Sequence, residues 1–405
     1  MLECISADKA VEIILSTKFG LPHKTETVKL CDAVGKVAAE DIFCTENIPP
    51  YNRSSVDGYA VKSSYTFGCS EVLPSMLKCA GEIEMGEDIH RILTDGECYK
   101  IPTGGKLPEN AESVVMIEYT EHTKDDFCCV LKPVAPFENV IRVGDDIKKG
   151  QTLLYKDTLI KAENIGALAA VGIYEISVKK RLAVGVISTG DELVKVDEKP
   201  KGSEIRDVNS ALLCAVLSSA AIDVKTYPIV KDDENLLESA VLKALNENDM
   251  LLISGGSSVG EKDVVYNVLH RLGEVIFHGI SIKPGKPTMF AKVTEKPVFG
   301  LPGHPLAAFF VAKLFTVPLI NEMLGIKIAD KSIIKKSVCN IPSNHGREEV
   351  LPVMLLKNEN TEFFEPIFSK SSVISVLNTA DGYIRIDKNA EGIQKGEKVQ
   401  VYLFE

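Results

Sequence analysis

Apolar positions along this chain follow two rhythms that change place several times. Residues 6–19 carry Ala10, Val11, Ile13, Ile14 and Leu15, a spacing that predicts an amphipathic helix. A second helical pattern falls at Lys161–Val171. Neither helix buries its face alone, so we expect the two to pair in one discontinuous helical linker domain, residues 1–46 and 141–177. Between them, after the stiff Ile48-Pro49-Pro50, come short β-branched runs broken by Gly and Pro: Tyr51–Val61, Lys100–Pro108 and Ser113–Glu118. They predict an inserted β-rich domain over 47–140.

From Arg181 the rhythm becomes strand–helix alternation. Leu182–Ile187 reads as a strand, Val208–Ala221 as a helix capped by Asp207, Val224–Val230 as a strand, Asn235–Leu245 as a helix and Asp249–Ser254 as a strand. Strands separated by helices of this length predict a parallel α/β domain with right-handed crossovers, here 178–327. Beyond about residue 328 the texture is β again, through Gly382–Ile386 and Lys398–Leu403, which predicts a C-terminal β domain over 328–405. The fold class is thus α/β plus β, in several domains. The longest apolar run, Leu306–Ile320, is interrupted by Lys313 and Pro318 and reads as a core or subunit-interface helix, too short to span a bilayer.

Candidate chemistry concentrates between Ser254 and Pro305. S-G-G-S-S-V-G (Ser254–Gly260), I-K-P-G-K-P-T (Ile282–Thr288) and F-G-L-P-G-H-P (Phe299–Pro305) each follow an apolar segment, so their glycines fall where strands end. An open α/β sheet puts its ligand there. Glycines and serines ahead of the helix expected at Glu261–Leu272 let backbone N–H groups face an anion, and Lys283 and Lys286 add positive charge. A tight turn is the ordinary reading of any one such loop; three together favour an oxyanion or phosphate cradle. A Walker A loop is excluded, because Pro287 stands where Ser or Thr would follow the lysine.

The same argument gathers Thr189, Gly190, Asp191, Glu192, Asp232, Gly255, Gly256 and Ser257 at one sheet edge. Carboxylates there suit Mg²⁺ beside substrate phosphates, while helix capping is the competing role, strong for Asp207 and Asp263. Elsewhere Asp57-Gly58 and Thr103-Gly104-Gly105 read by themselves as turns. Asp145 and Asp146, between glycines, suit either a hard cation or a solvated turn. Arg347 and Ser369–Ser372 are the polar handles of the last domain.

Composition narrows the class. At 405 residues, 45% hydrophobic and 25% charged, the chain is globular and long enough for two to four domains. A net charge of -11 argues against general nucleic-acid binding. The first residues lack a basic signal region, and ten cysteines without C-x-x-C spacing suit reduced thiols of a cytoplasmic protein.

The set T-G-D-E, S-G-G-S-S-V-G-E-K-D, I-K-P-G-K-P and G-L-P-G-H-P, preceded by S-S-V-D-G-Y-A-V and I-P-T-G, resembles the molybdopterin molybdenumtransferase family and is similar to the E domain of gephyrin. The resemblance covers nearly the full length. It implies a homodimer with a molybdopterin-binding-like α/β domain, and a site shared between that domain of one subunit and the inserted β domain of the other. It implies Mg²⁺-dependent cleavage of adenylylated molybdopterin, release of AMP and insertion of molybdate. The molybdopterin adenylyltransferase is a candidate partner; no membrane and no nucleic acid are implied.

Position by position, the resemblance puts catalytic roles on Asp57, Thr103, Glu192, Asp263, Lys283 and Lys286. Substrate binding falls on Thr189, Gly190, Asp232, Ser254, Gly255, Gly256, Ser257, Pro302, Gly303, Arg347 and Ser371, and metal binding on Asp146, Glu192, Asp232 and Asp263. Three departures from the family pattern stand out: His304 for Asn in G-L-P-G-N-P, Asn52 and Arg53 upstream of Asp57, and Ser372 for the glycine after Ser371. A molybdopterin adenylyltransferase-like nucleotide enzyme and a non-catalytic molybdopterin-binding carrier or scaffold are the rival readings.

Overall fold

A computed structural model describes residues 4–20, 24–87, 90–219, 221–255, 263–327, 331–356 and 362–404. Gly256 and Ser257 lie outside the described residues. The chain divides into two compact units: Met1–Glu40, Asp157–Lys161 and Ile176–Glu405 form the larger, Asp41–Lys156 and Ala162–Glu175 the smaller.

The larger unit is built on a six-stranded sheet in the order Ile222–Thr226, Leu182–Ser188, Met250–Ser254, Lys296–Leu301, Met289–Val293, Glu274–His278. The first four strands are parallel, as the strand–helix alternation predicts. Alternate side chains of the Met250–Ser254 strand enter opposite cores. Met250 and Leu252 join Leu213, Leu217, Phe299 and Phe310 on one face, while Leu251 and Ile253 join Leu237, Val241, Val265 and Leu269 on the other.

The sheet is not parallel throughout. Met289–Val293 runs antiparallel to Lys296–Leu301 and to Glu274–His278, so the latter two strands point the same way. The hairpin turns on Thr294 and Glu295, both at positive φ (47° and 64°). That is the two-residue geometry which Asn-Gly usually announces. The expected Val224–Val230 strand lies earlier, at Ile222–Thr226.

The apolar run near residue 310 is longer than its sequence interruptions suggest. Helical structure continues from Pro305 to Leu324, with a wider π turn at Ala312–Thr316 just ahead of Pro318. Twenty residues at mean hydropathy 1.5 are long and apolar enough to cross a membrane, which corrects the expectation that the run is too short. Leu306, Phe310, Phe315, Leu319 and Ile320 are instead packed into the core.

The two amphipathic helices fall in different units. Helix Ala7–Ser16 gives Ala7, Ala10 and Ile14 to the core that holds Leu319 and Ile320. Helix Ala162–Ala170 belongs to the smaller unit, where it contacts the Thr152–Leu154 strand. Both helices are amphipathic, and periodicity alone does not say which partner covers a face.

In the C-terminal part, Glu348–Leu355, Phe363–Pro366, Ser332–Ser337, Lys398–Leu403 and Gly382–Ile386 pair in that order, and the last returns to the first. This closed sheet encloses Leu351, Val353, Phe364, Ile384 and Val401. Ile282–Lys283 adds to it in parallel with Glu348–Glu349, so the I-K-P-G-K-P loop is hydrogen-bonded to the barrel wall.

The smaller unit holds the β-rich sheet expected there, in the order Ser113–Met116, Gly58–Val61, Glu97–Ile101, Ser75–Glu82, Phe127–Val130, Thr120–His122. Its two faces bury separate clusters, one around Tyr59, Val115 and Val130, the other around Ala60, Ile101 and Val114.

Candidate active site

Three parallel strands of the larger unit end level with one another. Ser188 pairs with Ser254, and Ser254 with Leu301. The loops that follow, Thr189–Glu192, Gly255 and Pro302–His304, therefore open into one cavity of about 1670 Å³. The Ile282–Pro287 loop and the barrel segments at Arg347–Pro352 and Phe368–Ser372 also line it. Gly255 sits at φ 101°, and a Cβ there would lie 2.0 Å from the Thr189 carbonyl oxygen. Only glycine lets these two loops approach so closely.

One part of the lining is acidic. Thr189 Oγ1 donates to Asp232 Oδ1 at 2.9 Å, and the Asp232 N–H points to Asp191 Oδ1 at 3.4 Å. Ser188 Oγ donates to Asp207 Oδ1 at 2.8 Å, and Asp207 caps the Val208–Leu217 helix by accepting from the Ser210 N–H. The Glu192 carboxylate lines the cavity with no hydrogen bond or ion pair among the described residues.

Another part is basic. Lys283 Nζ is held at 2.8 Å by Glu349 Oε1, whose other oxygen accepts from Ser343 Oγ. Lys286, Arg347 and Lys370 also line the cavity, and among the described residues their side chains have no ion pair. Unpaired cations in a concave site attract an anion, here against a negative net charge. His304 starts the Pro305–Val311 helix, and its Nδ1 lies 2.8 Å from Ser371 Oγ.

The cavity thus gathers Thr189, Glu192, Asp232, Ser254, Gly255, Lys283, Lys286, Pro302, Gly303, Arg347 and Ser371 from the residues singled out in the sequence. Gly190 and Asp263 stand outside its lining. Asp263 is buried, caps the Val264–Leu272 helix through the Tyr266 N–H, and has Oδ2 3.5 Å from His278 Nε2. That separation leaves both atoms without a hydrogen-bond partner among the described residues. Burial pushes the Asp263 carboxyl up, and burial pushes the His278 imidazole down.

Asp57, Thr103 and Asp146 belong to the smaller unit. Asp57 Oδ1 accepts from the Thr103 N–H at 2.7 Å and from Thr103 Oγ1 at 3.0 Å. The backbone bond first, then the hydroxyl, lowers the Asp57 pKa. Asp146 is exposed beside Asp145, whose carboxylate takes the Arg142 N–H. Residues that sequence reasoning left without a role in ligand binding are Asn209, Arg206 and Lys370, all in the lining. Asn209 had one signal: a polar residue two places after a predicted cap, at the ligand edge of the sheet.

Comparison with known proteins places these features in a family. Residues 5–172 match the MoeA N-terminal region (domain I and II), 185–322 a probable molybdopterin binding domain, and 336–404 the MoeA C-terminal region (domain IV). A putative molybdopterin biosynthesis protein of Methanocaldococcus jannaschii is 40% identical, over 98% of this chain and 97% of its own. The molybdopterin molybdenumtransferase of Haemophilus influenzae is 30% identical over 95% of each chain. Among solved structures, the molybdopterin biosynthesis MoeA protein from Pyrococcus horikosii superposes with TM-score 0.87 at 34% identity, covering 100% of both chains. Full-length identity at this level, with all three regions in order, means that the chain belongs to the molybdopterin molybdenumtransferase (MoeA) family.

Proposed function

We propose that this protein is a transferase of molybdenum cofactor biosynthesis that cleaves adenylylated molybdopterin, releases AMP and inserts molybdate at the dithiolene sulfurs. The observation that carries this reading is the cavity at the strand ends, where among the described residues the Glu192 carboxylate has no hydrogen bond or ion pair and Lys286, Arg347 and Lys370 have no ion pair. Breaking a phosphoanhydride needs charge neutralisation more than a covalent nucleophile. Molybdate is itself an oxyanion of phosphate-like shape, suited to the same lysines.

In this reading Lys286, Arg347 and Ser371 hold the oxyanion, while Lys283 is restrained by Glu349. Thr189, Gly190, Ser254, Gly255, Gly256, Ser257, Pro302 and Gly303 bind the pterin nucleotide. Among the described residues no three His, Cys, Asp or Glu side chains converge as a cage for a metal. Mg²⁺ does not require one, since it is commonly held by one or two carboxylates together with substrate phosphates and water. Glu192 and Asp232 fit that role, with Asp263 and Asp146 as the further candidates. When bound, the ion supplies neutralisation of phosphate charge. Asp57 and Thr103 complete the set of reaction residues. A homodimeric assembly and delivery of substrate by a molybdopterin adenylyltransferase belong to the same proposal.

The test is AMP release by the purified protein from adenylylated molybdopterin with Mg²⁺, with and without molybdate. Molybdate-stimulated release is expected. Tight binding of the nucleotide with no release would replace this reading by a carrier role. Sedimentation of the same preparation at twice the monomer mass is expected.

A further inference from the structure

Asn209 lies in the first turn of the Val208–Leu217 helix, lines the cavity and is 8% exposed. Its Nδ2 donates to Ser254 Oγ at 2.7 Å and to the Gly303 carbonyl at 2.8 Å. A carbonyl can only accept, so Gly303 decides which end of the amide is nitrogen. The opposite end, Oδ1, is buried and has no hydrogen-bond partner among the described residues. A buried acceptor without a donor is costly, and such atoms in a ligand cavity are satisfied by what binds there.

We infer that Asn209 Oδ1 accepts a hydrogen bond from a neutral N–H group on the ring of the bound nucleotide, and so decides which end of the ligand lies against the strand ends. The inference rests on the function proposed above. An ionised phosphate or molybdate has no proton to give, and an acceptor facing either would repel it. Ser254 adds to the match. Its oxygen already accepts from Asn209, and its own hydroxyl hydrogen has no acceptor among the described residues. A donor and an acceptor side by side complement an amide- or amidine-like edge, which both a pterin and an adenine present. The oxyanion end then falls to Lys286, Arg347 and Lys370 on the same lining.

The experiment measures affinity of the full-length Asn209→Ala variant for molybdopterin, AMP and molybdate separately, beside the wild-type protein. The expected result is a loss of about ten-fold or more for one of the two ring ligands, which identifies the ring at Asn209, with molybdate affinity within about two-fold. A merely structural role for the amide would disturb the Ser254 and Gly303 loops together and weaken all three ligands alike. That outcome overturns the inference, as does unchanged affinity for both ring ligands. Where the alanine variant does not fold, Asn209→Ser, which keeps a small polar group at the helix start, is read by the same criteria. Wild-type protein that binds no ring ligand at all removes the proposed function itself, which is a different result from a wild-type binder indifferent to Asn209.

Discussion

Nδ1 of His304 stands 2.8 Å from Oγ of Ser371, joining the start of the Pro305–Val311 helix to the barrel segment across the cavity lining. The imidazole occupies the place where the family pattern has asparagine, and it keeps what an asparagine offers, a polar atom within reach of the serine. We predict that His304→Asn retains molybdate-dependent AMP release within about three-fold, whereas His304→Ala, which removes this contact from Ser371, loses about ten-fold. Equal rates for the two variants would show that the His304–Ser371 contact does not matter to the reaction.

Lys283 and Lys286 are three residues apart but electrostatically unlike. Glu349, its side chain 15% exposed, holds Lys283 at 2.8 Å, while the Lys286 side chain has no ion pair among the described residues. Lys286→Ala is therefore expected to weaken molybdate binding about ten-fold, the scale of one charge-assisted hydrogen bond. Glu349→Gln releases Lys283 and is expected to tighten molybdate binding a few-fold. Titration calorimetry reads both, and tighter binding in neither glutamine variant nor wild type at low salt would count against an anion site at these lysines.

What could be read from the residues, and what could not, follows from distance along the chain. The ligand edge was legible because strand ends at Ser188 and Ser254 are marked locally by the Thr189–Gly190 and Gly255 steps that follow them. Asp207 as a cap was legible for the same reason, since the Ser210 N–H is three residues away. The Lys283–Glu349 pair was not, because its partners are 66 residues apart and meet only when Ile282–Lys283 joins the barrel. The Thr294–Glu295 hairpin carried no glycine or asparagine to announce its positive φ. The cover over the first helix was hidden for a similar reason. An apolar face at Ala10 and Ile14 states that something covers it, and the Leu319–Ile320 segment that does so is more than 300 residues away.

Asp57 and Thr103 offer a test confined to the smaller unit. Two donors of one residue, the Thr103 N–H and its Oγ1, stabilise the ionised carboxylate and hold its pKa below the ordinary aspartate range. Thr103→Val removes the hydroxyl and keeps the N–H. The Asp57 pKa, followed by carboxyl NMR, is expected to rise in the variant yet stay below the unperturbed value, since the backbone bond is the larger cause. With a depressed folded pKa, the stability that Asp57 contributes is present above the unfolded value of about 3.9 and is lost as pH falls through the folded one. A pKa that does not move on removing Oγ1 would show that the hydroxyl bond is not made in solution.

Asp263 carries two duties that substitution can separate. It caps the Val264–Leu272 helix through the Tyr266 N–H, and it is buried beside His278. Asn can cap and Ala cannot, so Asp263→Ala is expected to lose about 1 kcal/mol of stability and Asp263→Asn much less. Both remove the negative charge, so if the carboxylate also serves the reaction, both lower AMP release while only one lowers stability. The pH dependence follows from the shifts. Burial raises the Asp263 pKa, so just above about 3.9 the folded state keeps a proton that the unfolded chain has lost, and stability falls as pH rises toward the folded value. Burial lowers the His278 pKa, so just below about 6.5 the unfolded chain takes a proton that the folded state refuses, and stability falls as pH drops. The two slopes have opposite sign, and denaturant midpoints measured from pH 4 to 7 resolve them. Asp263→Asn should flatten the first and His278→Gln the second; a wild-type profile unchanged by either substitution would mean that water reaches this pair and relieves its burial.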